Sequence, residues 1–337
     1  MKIAEFRRTL AVAAAMAVMM MQGAPAWAGG RVADLRFTRG INILGYDSYW
    51  TDPGKARFHW AHLDAIKRAG FDHVRVNLFA FAHMDDRNRL DPAWLERLDT
   101  VVGQARQRGL GVILDEHDFN DCSDDVAACQ IKLEAFWRQV APRYRHQPAS
   151  VAFELLNEPH GALDADAWNA LVASLLRLVR TTNPRRTVIV GPTHWNSLAD
   201  LPLLKLPRDD DNLLVTFHYY EPFAFTHQGA PWTGLKDKSG LGWGSPSDHE
   251  RLRQDFAEVA EWARANRRPV LLGEFGAYDR SGTPMILRTT YTAAVAREAE
   301  RSGFGWAYWQ FDSDFLAWDM TRQEWVAPIR DALIAPR

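Results

Sequence analysis

Apolar residues along the chain cluster in eight short runs that are rich in β-branched residues and bounded by turn-forming residues. Runs of this kind and length are typical of buried strands. The predicted strands cover residues 40–44, 73–77, 111–116, 151–156, 187–191, 213–218, 270–273 and 304–309.

Segments with helical periodicity separate most of these strands. The predicted helices cover residues 58–69, 92–108, 131–144, 165–182, 247–266 and 284–302. Gly70 and Gly109 favour helix ends, and Asp91 and Thr283, each followed by a proline, favour helix starts. The connection after the fifth strand, residues 198–206, is the weakest because it is short and broken by a proline.

The alternation of strand and helix predicts the fold class. Short connections between strand, helix and strand imply right-handed crossovers and a parallel sheet, and eight such units close naturally into an α/β (β/α)8 TIM barrel. The alternative is an open, doubly wound sheet. That fold usually carries a glycine-rich phosphate turn after its first strand, and residues 45–48 do not form one.

The first residues have the features of a secretory signal peptide. Lys2, Arg7 and Arg8 form a basic start, residues 10–21 form an apolar run, and Ala26-Trp27-Ala28 resembles a cleavage site. The apolar run is too short to span a bilayer as a helix. We therefore expect residues 1–28 to be removed and residues 29–337 to form a secreted or periplasmic protein without a membrane span.

Composition narrows the range of partners. The formal net charge is −2 and the chain has no block of basic residues, which argues against nucleic acid or an anionic membrane as a partner. No linker-like tract divides the sequence, so we expect a single catalytic domain over residues 29–337 and a monomer. A neutral substrate fits this composition best, and we expect no cofactor.

Two cysteines, Cys122 and Cys129, lie seven positions apart in a polar segment. An exported chain meets oxidising conditions, so we expect them to form a local disulfide. A structural zinc site would require a second pair of ligands, which this spacing does not supply.

Polar side chains collect where the predicted strands end. In a (β/α)8 barrel the chemistry lies at the carboxyl ends of the strands, so these residues should share one rim. They include carboxylates, imidazoles, amides, a guanidinium group and indoles: Arg75, Asn77, Glu116, His117, Asp118, Asn157, Glu158, His194, Trp195, Asn196, His218, Tyr219, Tyr220, Glu274, Trp309 and Gln310.

Two of these carboxylates, Glu158 after the fourth strand and Glu274 after the seventh, could face each other across the barrel mouth. Such a pair suits an acid and a nucleophile on opposite sides of a scissile glycosidic bond. The structural alternatives are a solvated glutamate in a strand-end turn for Glu158 and an ion pair for Glu274. Lone histidines such as His117 and His218 could likewise be structural.

A metal site is not expected. Residues 115–118 read Asp-Glu-His-Asp, which are all metal-binding types. Successive side chains of a strand point to opposite faces, so these four cannot all face one ion.

Part of this rim forms an ordered pattern of residues at barrel spacing: Arg75, His117, Asn157 with Glu158 and Pro159, His218 with Tyr220, Glu274 between glycine and phenylalanine, and Trp309. With this pattern the sequence resembles glycoside hydrolase family 5, the cellulase family of retaining enzymes on (β/α)8 barrels, and in particular its bacterial endoglucanases. The resemblance covers essentially the whole chain after residue 28.

The resemblance implies a role for each residue of the pattern. Glu158 would be the acid/base and Glu274 the nucleophile. Arg75 and Tyr220 would donate hydrogen bonds to Glu274 and lower its pKa, whereas burial and the charge of Glu274 would raise the pKa of Glu158. The supporting roles fall to a second set: Asn157 on the sugar 2-hydroxyl, His117 and His218 on the sugar or Glu158, and Trp309 beneath the sugar. Apart from the resemblance, Trp195 is a candidate for a further stacking surface because it lies at or beyond a strand end and an indole face can stack on a sugar ring.

The expected activity is hydrolysis of a β-1,4-linked glucan, most simply by internal cleavage. Mannan, xyloglucan and β-1,3-glucan remain open as substrates within the same family. Residues 219–245 form a connection too long for a routine turn and are expected to build a wall of the cleft. A polysaccharide-binding protein without catalysis is the alternative from a different class.

Overall fold

The computed structural model describes residues 37–334. Eight parallel strands follow one another in sequence order and close into a barrel when β8 pairs with β1. The strands are β1 (Arg39–Ile43), β2 (His73–Leu78), β3 (Gly111–Glu116), β4 (Val151–Glu154), β5 (Val188–Val190), β6 (Leu213–Tyr219), β7 (Val270–Phe275) and β8 (Gly305–Tyr308). The (β/α)8 fold predicted from the apolar runs is therefore confirmed.

Ten α-helices or α-helical turns accompany these strands in the described part of the chain. They are α1 (Trp60–Ala69), α2 (Pro92–Gln107), α3 (Phe119–Asp124), α4 (Val126–Arg143), α5 (Ala165–Arg180), α6 (Thr193–Asn196), α7 (Phe223–Thr226), α8 (Pro246–Asn266), α9 (Met285–Arg301) and α10 (Ala327–Leu333). No helix within residues 37–334 is long and apolar enough to cross a membrane. The predicted signal peptide lies outside the described residues.

Most predicted helix boundaries agree with the structure. Gly70 and Gly109 adopt left-handed backbone conformations, and the Asp91 carboxylate caps α2. The start predicted at Thr283 is wrong, because Pro284 precedes the first turn of α9 and no side chain caps it. Residues 198–206, the weakest predicted connection, contain a 3-10 helix instead of an α-helix.

The packing has two layers, which explains the apolar runs. A small cluster of Phe37, Ile113, Ala152, Ile189, Leu214 and Leu271 is separate from the main core and comes from one face of the barrel strands. The main core lies between the other face and the helices. Strands buried on both faces read as continuous apolar runs rather than as alternating patterns.

Two further elements stabilise the periphery. The predicted disulfide between Cys122 and Cys129 is present and joins α3 to α4. A hairpin of β9 (Trp318–Asp319) and β10 (Glu324–Trp325) packs its tryptophans against Phe311 beyond the last barrel strand.

Candidate active site

A single buried guanidinium group, that of Arg75 on β2, lies at the centre of the polar rim. Its Nη1 donates to Oε1 of Glu274 at 2.7 Å and to Oδ1 of Asn42 at 2.9 Å. Its Nη2 donates to Oδ1 of Asn157 at 2.8 Å. Arg75 therefore links the ends of β1, β2 and β7 to the segment that follows β4.

Two more carboxylates surround the same guanidinium. Glu154 accepts from Nε at 2.7 Å and from Nη2 at 2.8 Å, which is a bidentate arrangement. Asp115 lies 3.1 Å from Nη2. All four groups, including Glu274, are buried, so one positive charge faces three acidic side chains in a region shielded from solvent.

Glu274, at the end of β7, has two donors. Besides Arg75, the Tyr220 hydroxyl donates to its Oε2 at 2.9 Å. Burial raises the pKa of Glu274 to about 7, although the Arg75 guanidinium, His117 and the Tyr220 hydrogen bond act in the opposite direction. The expected partners are confirmed, but the expected net lowering of this pKa is wrong because burial outweighs them.

Glu158 follows β4 and has a left-handed backbone, with φ of 40°. Its Oε1 lies 2.7 Å from Nδ1 of His218. On the other side of that ring, Nε2 lies 3.2 Å from the Asn196 amide nitrogen, which can only donate, so Nδ1 carries the hydrogen that is donated to Glu158. The second carboxyl oxygen is left free of this bond and can carry a proton.

The protonation of Glu158 is set by its surroundings. Burial and the charge of Glu274 raise its pKa well above the ordinary value, as expected. Burial and the nearby Arg75 charge lower the pKa of His218 well below its ordinary value, which keeps this imidazole neutral. A neutral, hydrogen-bonded carboxylic acid and a second carboxylate with two donors therefore lie side by side.

A bulge positions His218. Along β6 and β7 the pairing shifts by one residue between Phe217 and His218, so that Gly273 is the extra residue of β7. A Cβ atom at Gly273 would lie 2.9 Å from Nε2 of His218. Glycine at this position thus leaves room for the imidazole beside Glu274.

The two glutamates and His218 lie close enough together for their ligand atoms to form a compact group. A ligand atom from each of Glu158, His218 and Glu274 lies within 4.8 Å of the others, the one such group found among residues 37–334. Each of these atoms already has hydrogen-bond partners. The Asp-Glu-His-Asp run at residues 115–118 forms no such group in the described chain, in keeping with its alternating strand geometry.

His117 and Trp309 form one wall of the site. His117 donates from Nδ1 to Asp115 at 2.5 Å, and its ring lies parallel to the Trp309 indole at 5.6 Å between centroids. Its Nε2 lies 3.4 Å from the Asn157 amide nitrogen, which fixes the orientation of that amide. His117 therefore lies beside Asn157, and the Trp309 indole covers the face of the His117 ring.

Trp195 lies on the other side, in the left-handed segment of α6. It is 52% exposed, which makes its indole face available to a ligand, and its ring stacks on His160 at 4.6 Å. Residues 219–245 contribute Tyr220 and a further exposed indole, Trp232, whose ring edge contacts Tyr278. The site is an aromatic cleft with acidic groups at its centre.

Sequence reasoning missed Asn42 and Glu154, and it named Asp115 and Asn196 without placing them in this network. Asn42 donates to two backbone carbonyls and accepts from Arg75, and Glu154 holds the guanidinium from below. The sequence did contain a signal for these residues: a charged or amide side chain within a buried strand requires a polar partner, so its presence there indicates a buried polar network.

Comparisons with known proteins agree with this geometry. The model of the cellulase family, glycosyl hydrolase family 5, matches residues 37–314. Endoglucanase H of Acetivibrio thermocellus is 30% identical over 286 residues, which are 82% of this chain and 30% of that protein. The chain thus spans less than a third of the length of this relative.

Solved structures resemble the chain over nearly its whole described length. Thermotoga maritima Cel5A in complex with cellobiose has a TM-score of 0.83 and 36% identity, covering 88% of this chain and 97% of that one. The same protein in complex with mannotriose has a TM-score of 0.83 and 35% identity, with the same coverage.

Proposed function

Because the chain belongs to the cellulase family, glycosyl hydrolase family 5, we propose that it is a retaining β-glycanase that uses Glu158 as acid/base and Glu274 as nucleophile. The observation that carries this proposal is the glutamate pair itself. Oxygen atoms of the two carboxyl groups lie within 4.8 Å, and their environments favour different protonation states. Retaining enzymes place the two groups about 5 Å apart, whereas inverting enzymes need room for a water molecule.

In the first step, an oxygen of the Glu274 carboxylate attacks the anomeric carbon of the sugar. The bond between that carbon and the glycosidic oxygen breaks, and the leaving oxygen takes the proton of Glu158. The glycosyl-enzyme then holds a neutral ester at Glu274, so the charge that raised the pKa of Glu158 is gone. Glu158 is now ionised and removes a proton from water, which hydrolyses the ester.

The surrounding residues support this sequence. Arg75 and Tyr220 donate to different oxygens of the nucleophile, Oε1 and Oε2 respectively, and so fix the orientation of its carboxylate. Asn157, oriented by Arg75 and His117, is placed to hydrogen-bond the sugar 2-hydroxyl, a contact that strengthens in the oxocarbenium-like transition state. Trp309 offers an apolar face to the sugar at the cleavage point, and Trp195 offers one farther along the cleft.

We propose a β-1,4-linked glucan as the substrate, cleaved internally. Its support is the likeness to an endoglucanase and to a protein solved with cellobiose. A β-mannan is the second candidate, since the latter protein was also solved with mannotriose. Xyloglucan and β-1,3-glucan have no comparable support. We also propose that the protein acts outside the cytoplasm, as its N-terminal sequence predicts.

The glutamate pair is tested by two substitutions. Glu274→Gln should abolish turnover while sparing ligand binding, and Glu158→Gln should lose about 10² to 10⁴-fold, the usual contribution of general acid–base catalysis. The measurement is the release of reducing ends from carboxymethylcellulose, barley glucan, mannan, xyloglucan and laminarin, with product lengths followed over time.

Glu250→Gln is the matched control, because Glu250 lies on α8 and bonds only to its helical neighbours. Parental activity in the double variant Glu158→Gln/Glu274→Gln would contradict the proposal. Binding without turnover in the parent protein would favour the non-catalytic alternative. Proton NMR should show a β-anomer as the first product, and an initial α-anomer would rule out Glu274 as the nucleophile.

A further inference from the structure

His160 lies directly between the acid/base residue and the exposed indole of the cleft. Its Nδ1 lies 2.8 Å from the backbone carbonyl oxygen of Glu158, which can only accept, so Nδ1 is the donor. Its ring stacks on Trp195 with 4.6 Å between centroids and 21° between planes. The edge of Phe119 contacts the same ring, and only 9% of His160 is exposed.

The two segments that His160 joins both have unusual backbone conformations. Glu158 has φ of 40° and Trp195 has φ of 59°, in the left-handed region that residues with side chains seldom adopt. Such conformations persist only where surrounding contacts hold them. One further contact joins the segments, from the Trp195 amide to the Pro159 carbonyl at 3.4 Å.

We propose that His160 is a positioning residue that ties the Trp195 sugar platform to the placement of the Glu158 carboxyl group. This inference rests on the proposed function. Glu158 protonates the leaving oxygen, so the sugar that departs lies on the side of Glu158 and Trp195. The His160 imidazole donates a hydrogen bond to the Glu158 backbone from one nitrogen, and its face stacks on the Trp195 indole. A sugar stacked on Trp195 therefore contacts a side chain that is itself supported by the residue that orients the acid.

The proposal predicts a dependence on the leaving group. When the C–O bond of the glycoside breaks, a poor leaving group such as phenoxide must take the proton of Glu158 as it departs. A 2,4-dinitrophenolate leaves without that proton. A misplaced Glu158 therefore lowers kcat/KM for phenyl β-cellobioside and leaves kcat/KM for 2,4-dinitrophenyl β-cellobioside nearly unchanged. A general loss of structure would lower both values together.

Two variants separate the two contacts of His160. His160→Phe keeps a ring against Trp195 and removes the N–H donor to Glu158. We expect its kcat/KM for phenyl β-cellobioside to fall about tenfold or more, which is a fraction of the full contribution of general acid catalysis. Its kcat/KM for 2,4-dinitrophenyl β-cellobioside should stay within about twofold of the parent value. Equal losses on both substrates, or no loss on either, would overturn the proposal.

His160→Asn keeps an N–H donor and removes the ring. We expect the parental ratio of the two aryl substrates and a raised KM for cello-oligosaccharides that extend over Trp195. A changed aryl ratio or an unchanged KM would contradict the coupling, even if His160→Phe fails to fold. His83→Asn is the control, because His83 also stacks on an indole, that of Trp94, without contacting Glu158. If the parent hydrolyses neither substrate, the proposed function fails rather than this inference.

Discussion

At the scale of single residues, the arrangement around Arg75 gives the two glutamates different electrostatic surroundings. One guanidinium faces Glu154, Asp115 and Glu274, so its positive charge interacts with three acidic groups and not with Glu274 alone. Glu274 consequently keeps a pKa raised to about 7 by burial, with the Tyr220 hydroxyl as an additional donor to its charged form. Within residues 37–334, Glu158 has no cationic partner in hydrogen-bond contact, and burial and the charge of Glu274 hold its pKa well above the ordinary value.

This arrangement predicts the effect of Tyr220→Phe on the pH profile. The hydroxyl stabilises ionised Glu274, so its removal should raise the pKa of Glu274 further. The nucleophile must be ionised, so the acidic limb of kcat/KM should move to higher pH, and kcat/KM below neutral pH should fall. Tyr49→Phe is the control, since the Tyr49 hydroxyl contacts a backbone carbonyl away from the cleft. An acidic limb that stays in place or moves to lower pH would refute this role of Tyr220.

The residues on the rim could be predicted from the sequence because each follows an apolar run and has chemistry that a buried strand would not otherwise carry. The sign of the pKa shift of Glu274 could not be predicted. It depends on how completely the site excludes water and on the two acids, Glu154 and Asp115, that compete for Arg75. Both are properties of the folded arrangement and leave no local pattern in the chain.

At the scale of elements, strands buried on both faces and long helices were predictable because their periodicity extends over many residues. The short elements were not: α3, the β9–β10 hairpin and the 3-10 helix after β5 contain too few residues for a period to be recognised. Tertiary contacts define them instead, such as the disulfide on α3 and the aromatic packing of the hairpin.

One element boundary depends on a single side chain. Arg186, just before β5, donates to the backbone carbonyls of Tyr144, Gln147, Pro148 and Val151 and lies over the Phe153 ring. It thereby gives a side-chain donor to four carbonyl groups between the end of α4 and the start of β4, two of which, those of Tyr144 and Pro148, also accept a backbone N–H.

Arg186→Ala should therefore lower the free energy of unfolding by roughly 3 kcal/mol, because four buried or partly buried carbonyl groups each lose a side-chain donor at once. Denaturant titration followed by circular dichroism is the measurement. Arg185→Ala is the matched control, since its neighbour Arg185 is exposed and should change the unfolding free energy little. Equal stabilities of the two variants would argue against this role of Arg186.

At the scale of the whole molecule, the barrel explains why residues far apart in sequence meet. Parallel strands in sequence order bring all their carboxyl ends to one rim, so fold and site were predictable together. Export of the molecule is a separate matter, because the predicted signal peptide lies in residues that precede the barrel in sequence.

We expect the exported protein to begin at Gly29. Cleavage after Ala28 would remove the basic and apolar start of the chain, and mass spectrometry of the intact protein from the periplasm or medium should give the mass of residues 29–337. Ala28→Tyr, which replaces the small residue at the cleavage position, should block processing. An exported protein that retains its first residues would show that the segment is not cleaved as predicted.

Asn42 takes part both in the closure of the barrel and in the hydrogen-bond network of the candidate active site. Its amide nitrogen donates to carbonyls on β7 and β8, and its oxygen accepts from Arg75. A substitution there would loosen the seam between the first and last strands and would also remove one of the acceptors of the Arg75 guanidinium. For protein engineering, stability and catalysis should favour the same residue at this position. A library selected for heat resistance should retain the asparagine because it joins the first and last strands, and a library selected for catalysis should retain it because it contacts Arg75.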